Sequence, residues 1–165
     1  MYPKERFMNY LRELSNSENK KIIAALRQGI VPAKEHYSYR YLAPYCDLTN
    51  RRSLVIFKTI AAMYATHPLE MKTGNLGSAF RKLCSGKEDL ERMSSKILRL
   101  IASDTAEEAC LILSKYFSLF KAKKAPFPFE SVLQDFLFWG KSSKMAISKE
   151  FWLEEEKSKE ETSNE

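Results

Sequence analysis

The sequence has few cysteines and lacks the motifs that mark common catalytic sites. Its three cysteines, Cys46, Cys84 and Cys110, lie far apart and include no CxxC pair. This spacing predicts reduced thiols in a cytosolic protein, with neither a disulfide framework nor a zinc site. Neither histidine stands in a metal-ligand spacing, and no phosphate-binding loop, HExxH or GxSxG motif occurs. We therefore expect no enzymatic activity, no cofactor and no metal.

Long hydrophobic runs are also missing from the sequence. No apolar run approaches the roughly 20 residues that a membrane-spanning helix needs. The N-terminal stretch MYPKERFMNYLREL is charged and amphipathic, and it has none of the apolar centre of a secretory signal. We expect a cytoplasmic protein with no membrane partner.

Helix-breaking residues are few, and the apolar residues repeat with a helical period. Only five glycines and six prolines interrupt the chain. The pattern predicts an all-α fold, a single compact bundle of about eight or nine helices over residues 1–155. Ser17, Asn50 and Asp104 or Thr105 are the expected N-caps of the second, fourth and seventh helices. The expected helices are 4–14, 18–29, 35–43, 51–66, 75–84, 88–102, 105–122, 129–139 and 144–155.

The tyrosine-rich segment HYSYRYLAPYC leaves two interpretations open. Tyr37, Tyr39 and Tyr41 alternate as in a short strand, yet Tyr37 and Tyr41 also share one face of a helix. We favour a helix, because the sequence shows no partner strand.

Positive charge is concentrated in the body of the chain. Residues 1–150 hold 25 basic and 15 acidic side chains, a net charge of +10, against +6 for the whole chain. The end, EEEKSKEETSNE, lacks apolar residues, so we expect an acidic disordered tail over 156–165. A basic body favours an anionic partner, nucleic acid foremost.

Several predicted helices place basic residues on the face opposite their apolar stripe. Arg92, Lys96 and Arg99 follow one another at i, i+4 and i+7. Arg51 and Arg52 stand in the first turn of a helix, where the helix dipole disfavours cations and a phosphate would relieve the conflict. A solvated face explains any one of these helices, but several in a basic body favour phosphate contacts that ignore base sequence. The predicted nucleic-acid-binding residues on these faces are Arg51, Arg52, Lys58, Arg81, Lys82, Arg92, Lys96 and Arg99.

The stretch FLFWGKSSKMAISKEFW carries both aromatic and basic residues, and it suggests either a base-stacking platform or a hydrophobic corner. Helical spacing puts Phe136 and Trp139 on one apolar side, which favours the corner. We expect Trp139 and Trp152 to hold two helices together while Lys141 and Lys144 point outward and bind phosphate.

The second half of the chain carries an ordered set of motifs that resembles one known family. The motifs are NLGSAFRKLCSG, ERMSSKILRLIASDTAEEACLILSKYFSLF, FPFESVLQDFLFWG and AISKEFW. Together they resemble CasB, the small subunit of the type I-E CRISPR complex Cascade, over roughly residues 75–153. Asp135 and Trp139 stand in register with the family's Leu-x-x-Asp-Leu-x-x-Trp element. For Asp135 itself, a salt bridge or a surface position explains the acid better than a catalytic role. The first half matches more loosely, through ALRQG and NRRSLVIFKTIAAMYATH.

The resemblance implies a non-catalytic, all-helical subunit of an RNA-guided complex. Its implied partners are other Cascade subunits, the CRISPR guide RNA and target DNA, and a second copy of itself. Its implied function is to stabilise guide–target pairing and the displaced strand, together called the R-loop. Arg27, Lys115 and Lys141 match basic positions of the family, whereas Ser78 stands where many relatives have arginine. The alternative is a helical adaptor whose basic surface docks on an acidic protein.

Overall fold

The helices of this protein follow the sequence periodicity closely. The computed structural model describes the backbone of residues 3–163 and the side chains of residues 3–153. Over that range the chain forms no β-strand, and a single bridge joins Glu70 and Phe127, so the all-α prediction is confirmed. The helices are α1 (Pro3–Ser17), α2 (Lys20–Arg27), α3 (Tyr39–Leu42), α4 (Arg51–Thr66), α5 (Leu76–Lys82), α6 (Lys87–Ile101), α7 (Ala106–Tyr116), α8 (Ser118–Ala122), α9 (Phe129–Leu137) and α10 (Lys141–Ser163).

Two of the predicted N-caps are confirmed by their hydrogen bonds. The side chain of Asn50 accepts from the backbone N–H of Ser53 at 3.0 Å, at the start of α4. Thr105 accepts from the backbone N–H of Glu108 at 3.2 Å, at the start of α7. Each cap satisfies a backbone donor that the first turn of a helix leaves without a partner.

The predicted N-cap of α2 is wrong. Ser17 is the last residue of α1, and its hydroxyl donates to the carbonyl of Leu14 at 3.1 Å. Glu18 adopts a positive φ of 53°, which ends α1 and moves the start of the next helix along the chain. Asn19 caps α2 instead, accepting from the backbone N–H of Ile22 at 3.3 Å.

Three other segments refine the expected boundaries. The tyrosine-rich segment is helical, a 3-10 turn over Glu35–Ser38 that continues into α3, as we favoured. The expected helix 105–122 is interrupted at Phe117, whose ring packs edge-on against Phe127 with centroids 5.1 Å apart. Helix α10 extends past residue 155, because no glycine or proline interrupts it. The acidic tail over 156–165 stays a prediction, since side chains beyond Leu153 lie outside the described part of the chain.

Helix α4 lies at the centre of the fold. It contacts α1, α2, α3, α7 and α9, and every residue from Ile56 to Ala65 is buried except Lys58. A helix that is apolar on nearly all sides is typical of a core position. No helix in the described range is long and apolar enough to cross a membrane.

The close contact between α5 and α10 positions the second half of the molecule. A Cβ atom added at Gly77 would lie 2.0 Å from the carbonyl oxygen of Ile147, so only glycine allows the two helices to approach this closely. Ile147 and Phe151 are fully buried beneath α10, which confirms their predicted place in the core. The Asn75 amide adds a hydrogen bond to the Ala146 carbonyl at 3.0 Å.

Candidate nucleic-acid interface

A hydrogen bond from Trp139 joins the α9–α10 turn to the end of α6. The indole Nε1 donates to the carbonyl of Ser103 at 3.0 Å, and the ring packs edge-on against buried Phe136 with centroids 5.6 Å apart. Phe151 and Trp152 pack edge-on in the same way at 5.0 Å. The prediction that Trp139 holds helices together, rather than forming an open stacking platform, is confirmed.

The same contact brings three of the predicted binding residues to one corner of the molecule. The ammonium group of Lys144 lies 5.6 Å from the centroid of the Trp139 ring. Lys141 begins α10 two residues after Trp139, and Arg99 stands one helical turn before Ser103. We call Arg99, Lys141 and Lys144 the basic corner.

The electrostatics of the basic corner leave cations open to solvent. Arg99 and Lys141 are exposed and have no hydrogen bond or ion pair with any described side chain. Two acids stand nearby at the start of α7, where the Glu108 carboxylate accepts from the backbone N–H of Asp104 at 3.1 Å. That carboxylate is therefore partly satisfied by the helix terminus. Unpaired arginine and lysine side chains of this kind bind phosphate oxygens.

The other two basic residues on the outer face of α6 have partners within the protein. Arg92 pairs with Asp89, whose carboxylate also accepts from the backbone N–H of Ser85 at 3.1 Å. These contacts, with the Ser85 hydrogen bond foremost, lower the pKa of Asp89 below its usual range. The ammonium group of Lys96 lies 4.8 Å from the ring centroid of Tyr116. The outward face predicted from the i, i+4, i+7 spacing is present, but only Arg99 on it lacks a partner among the described residues.

Arg52 bonds to the end of another helix. Its Nη2 donates to the carbonyls of Phe136 and Leu137 at 3.0 and 2.9 Å, where α9 ends. The last carbonyls of a helix have no partner within the helix, so a guanidinium there satisfies both hydrogen bonding and the helix dipole. This internal partner relieves the conflict that the sequence suggested a phosphate would relieve.

Lys58 and Arg51 face an acid. Lys58 forms a salt bridge with Glu35, with side chains only 17% and 28% exposed. Tyr39 donates to the same carboxylate at 2.9 Å, and Arg51 adds a weaker attraction. The pKa of Glu35 is lowered, mainly by the Lys58 hydrogen bond. The positive charge on this side of α4 is therefore largely compensated within the protein.

The remaining predicted residues are spread over other surfaces. Arg27 Nε donates to the carbonyl of Ala65 at 2.9 Å, near the end of α4. On α5, Arg81 is half-buried with its Nε atom unbonded to any described residue, and Lys82 is exposed. Lys115, on α7, is exposed. The structure thus does not gather the whole predicted set into one site.

Ser78, the departure from the family pattern, has a local structural role. It is buried, and its hydroxyl accepts from the backbone N–H of Asn75 at 2.8 Å. The Asn75 side chain in turn accepts from the N–H of Ser78, so the pair forms a capping box at the start of α5. A long charged side chain at this position would displace the cap.

Asp135 and Phe138 are two residues whose environment the sequence did not predict. Asp135 forms no salt bridge, and its Oδ2 is buried without a hydrogen-bond partner among described residues. Burial raises its pKa to about 6, and the expected salt bridge is absent because no basic side chain of the described range reaches it. Phe138 is 70% exposed, the most exposed large apolar side chain described.

Candidate metal ligands do not converge in the described part of the chain. No group of three or more histidine, cysteine, aspartate or glutamate residues there is placed to hold a metal ion. The three cysteines are free thiols, and burial raises the pKa of Cys46 to about 11.

Comparisons with known proteins point to one family. The family model described as CRISPR-associated protein Cse2 matches residues 23–154. The crystal structure of CasB from Thermus thermophilus is similar to this chain with a TM-score of 0.74, covering 92% of this chain and 99% of that chain at 20% identity. At that identity the structural likeness shows a shared fold. Comparison with curated protein sequences gives no match.

Proposed function

We propose a function for this chain on the premise that it belongs to the Cse2/CasB family of CRISPR-associated proteins, which are Cascade subunits. We infer that it is the non-catalytic small subunit of a type I-E complex and acts in the cytoplasm. It binds the nucleic-acid backbone and thereby stabilises guide–target pairing and the displaced strand. Its partners are the other Cascade subunits, the guide RNA, the target DNA and a second copy of itself.

The observation that carries this proposal is the basic corner. Arg99 and Lys141 come from helices distant in sequence and extend into solvent at one place, with no described partner for their charge. Because guide pairing supplies sequence specificity, such a subunit needs only contacts to phosphates. R-loop formation is nearly balanced in free energy, so a few phosphate contacts are enough to shift it.

Charge reversal at the basic corner tests the proposal. In the assembled complex, the double variant Arg99→Glu, Lys141→Glu should lower R-loop stability by about tenfold, since it removes two attractions to phosphate and adds two repulsions. The matched control is Lys20→Glu, Lys21→Glu, which reverses two exposed charges on α2, away from the corner. R-loop yield is measured with a labelled target duplex at several salt concentrations.

The result that contradicts the proposal is equal R-loop stability in the wild-type and corner-variant complexes. Loss of an acidic protein from the purified assembly, with nucleic-acid affinity unchanged, would support the adaptor alternative instead. Circular dichroism of each variant checks that the helical fold is retained.

A further inference from the structure

Phe138 is exposed although the residues around it are anchored. Its neighbours Phe136 and Trp139 pack inward, and the Ser143 hydroxyl donates to the Phe138 carbonyl at 3.2 Å. The Phe138 N–H also donates to the Gln134 carbonyl at 3.2 Å. The backbone is therefore held at this position while the ring extends into solvent, 70% exposed. A large aromatic ring fixed in water is unusual, and such residues mark contact surfaces.

The Phe138 ring forms one side of a groove whose apolar lining is chiefly aromatic. The groove has a volume of about 680 Å³, and Tyr45, Phe57 and Leu137 also line it. This volume falls within the range of about 300–1,000 Å³ that is typical of small-ligand sites. Tyr45 is held in place by stacking on Tyr10, with ring centroids 4.8 Å apart.

Basic side chains surround the groove. The Lys4 ammonium bonds to Gln134 at 2.9 Å, and both residues line the groove. The Arg6 guanidinium lies 5.7 Å from the centroid of the Tyr45 ring. Arg52 reaches the backbone next to Phe138, at the Leu137 carbonyl.

Two acids also line the groove, but the balance of charge stays positive. The Asp47 carboxylate accepts from the Thr49 N–H and hydroxyl at 2.9 and 2.6 Å, so its hydrogen-bonding capacity is used within its own loop. Glu5 is exposed at the rim. An aromatic lining beside an excess of cations is complementary to a flat ring that carries a phosphate.

We propose that this groove binds an unpaired nucleotide of single-stranded nucleic acid, with its base stacked on Phe138 and its phosphate beside Lys4 and Arg6. Stacking on an aromatic side chain tolerates any base, and cations nearby bind the backbone. The inference rests on the proposed function and deepens it, because it assigns a strand state that the basic corner does not distinguish. A duplex keeps its bases stacked on one another and offers none to Phe138.

The test compares Phe138 variants of the full chain on two probes. One probe is a labelled single-stranded DNA oligonucleotide of mixed sequence, and the other is the duplex of the same sequence. Phe138→Ala should weaken single-strand binding about tenfold, the effect of losing one stacked base, and leave duplex binding unchanged. Phe138→Trp should retain binding, and its indole fluorescence should be quenched by the single strand. The control Leu111→Ala removes a side chain that is also exposed, 61%, but lies on α7.

Two results would overturn the inference while leaving the proposed function intact. One is equal affinity of wild type and Phe138→Ala for the single strand. The other is loss of association with the other complex subunits in Phe138→Ala at unchanged single-strand affinity, which would identify a protein as the occupant of the groove. If the wild-type chain binds neither probe at low salt, both the proposed function and this inference fail.

Discussion

Around α4, arginine and lysine side chains end on acceptors within the protein, whereas at the basic corner they end in solvent. Arg12 bonds to Glu70 through Nη2 and Nε at 2.8 and 3.0 Å, and it reaches a second acid, Glu130, at 3.0 Å. Arg52 and Lys58 likewise have internal partners. Arg99 and Lys141 have none among the described residues.

The difference shows that equal charge serves two purposes in this molecule. A cation with an internal acceptor contributes to the fold, and its removal leaves the acceptor without its partner. A cation in solvent contributes almost nothing to stability, because water solvates it equally well in the unfolded chain. Stability and nucleic-acid binding should therefore respond to substitutions in different regions.

The largest expected effect breaks the helix packing that places the corner. Gly77→Ala puts a methyl group against the α10 backbone, which cannot move without shifting the whole helix. We expect a loss of about 3 kcal/mol in the free energy of unfolding, at the upper end of overpacking effects. Denaturant unfolding measures it. Gly86→Ala is the control, since its Cβ would meet nothing within 4 Å, and a similar loss in both variants would contradict the close-contact argument.

Removing a cation with an internal partner should have the next largest effect. Arg52→Ala leaves the last carbonyls of α9 without their donor. Because the guanidinium is exposed, we expect a loss of about 1–2 kcal/mol in the free energy of unfolding. The neighbouring exposed residue supplies the control, and Arg51→Ala should change stability by less than about 0.5 kcal/mol. Equal losses for the two variants would show that the hydrogen bonds to α9 contribute no stability.

Asp135 should make stability depend on pH. Burial raises its pKa to about 6 in the folded protein, against about 3.9 in an unfolded chain. Between those values the folded state binds more protons than the unfolded state, so stability falls as pH rises through that window. We expect Asp135→Asn to remove a fall of about 1 kcal/mol, allowing for the partial exposure of the side chain.

The measurement is thermal unfolding at a series of pH values from about 4 to 7, with each variant compared at each pH. Asp104→Asn, which changes an exposed acid, is the matched control. A wild-type stability that rises with pH across this window, or a slope unchanged in Asp135→Asn, would contradict the assignment.

The smallest expected effect on stability belongs to the basic corner. Arg99→Ala and Lys141→Ala should each change the free energy of unfolding by less than about 0.5 kcal/mol. Each should nevertheless reduce the slope of log affinity against log salt by about 0.9 on duplex DNA, because one phosphate fewer is neutralised. Titrations of a labelled duplex at several salt concentrations measure the slope. A clear loss of stability with an unchanged slope would reverse the comparison with α4.

Local sequence patterns were enough to predict most of the helices. The 3.6-residue period located α4, α6 and α9, and Asn50 and Thr105 marked two helix starts correctly, those of α4 and α7. Ser17 failed as a cap because Glu18 ends α1 in a positive-φ conformation that side-chain preference does not predict. The exposure of Phe138 was also missed, since a run of apolar residues does not show which member lies outside the core.

The sequence by itself determined the all-α fold, the basic character of the body and the resemblance to CasB, because periodicity, composition and motif order are properties of the chain. Only the tertiary structure decided which cations are free. Arg52 and Arg99 both stand on outward helix faces, but the end of α9 meets the first and solvent meets the second. Helical spacing defines the face of a residue, whereas its hydrogen-bond partners come from segments far away in the chain, and packing alone brings those together.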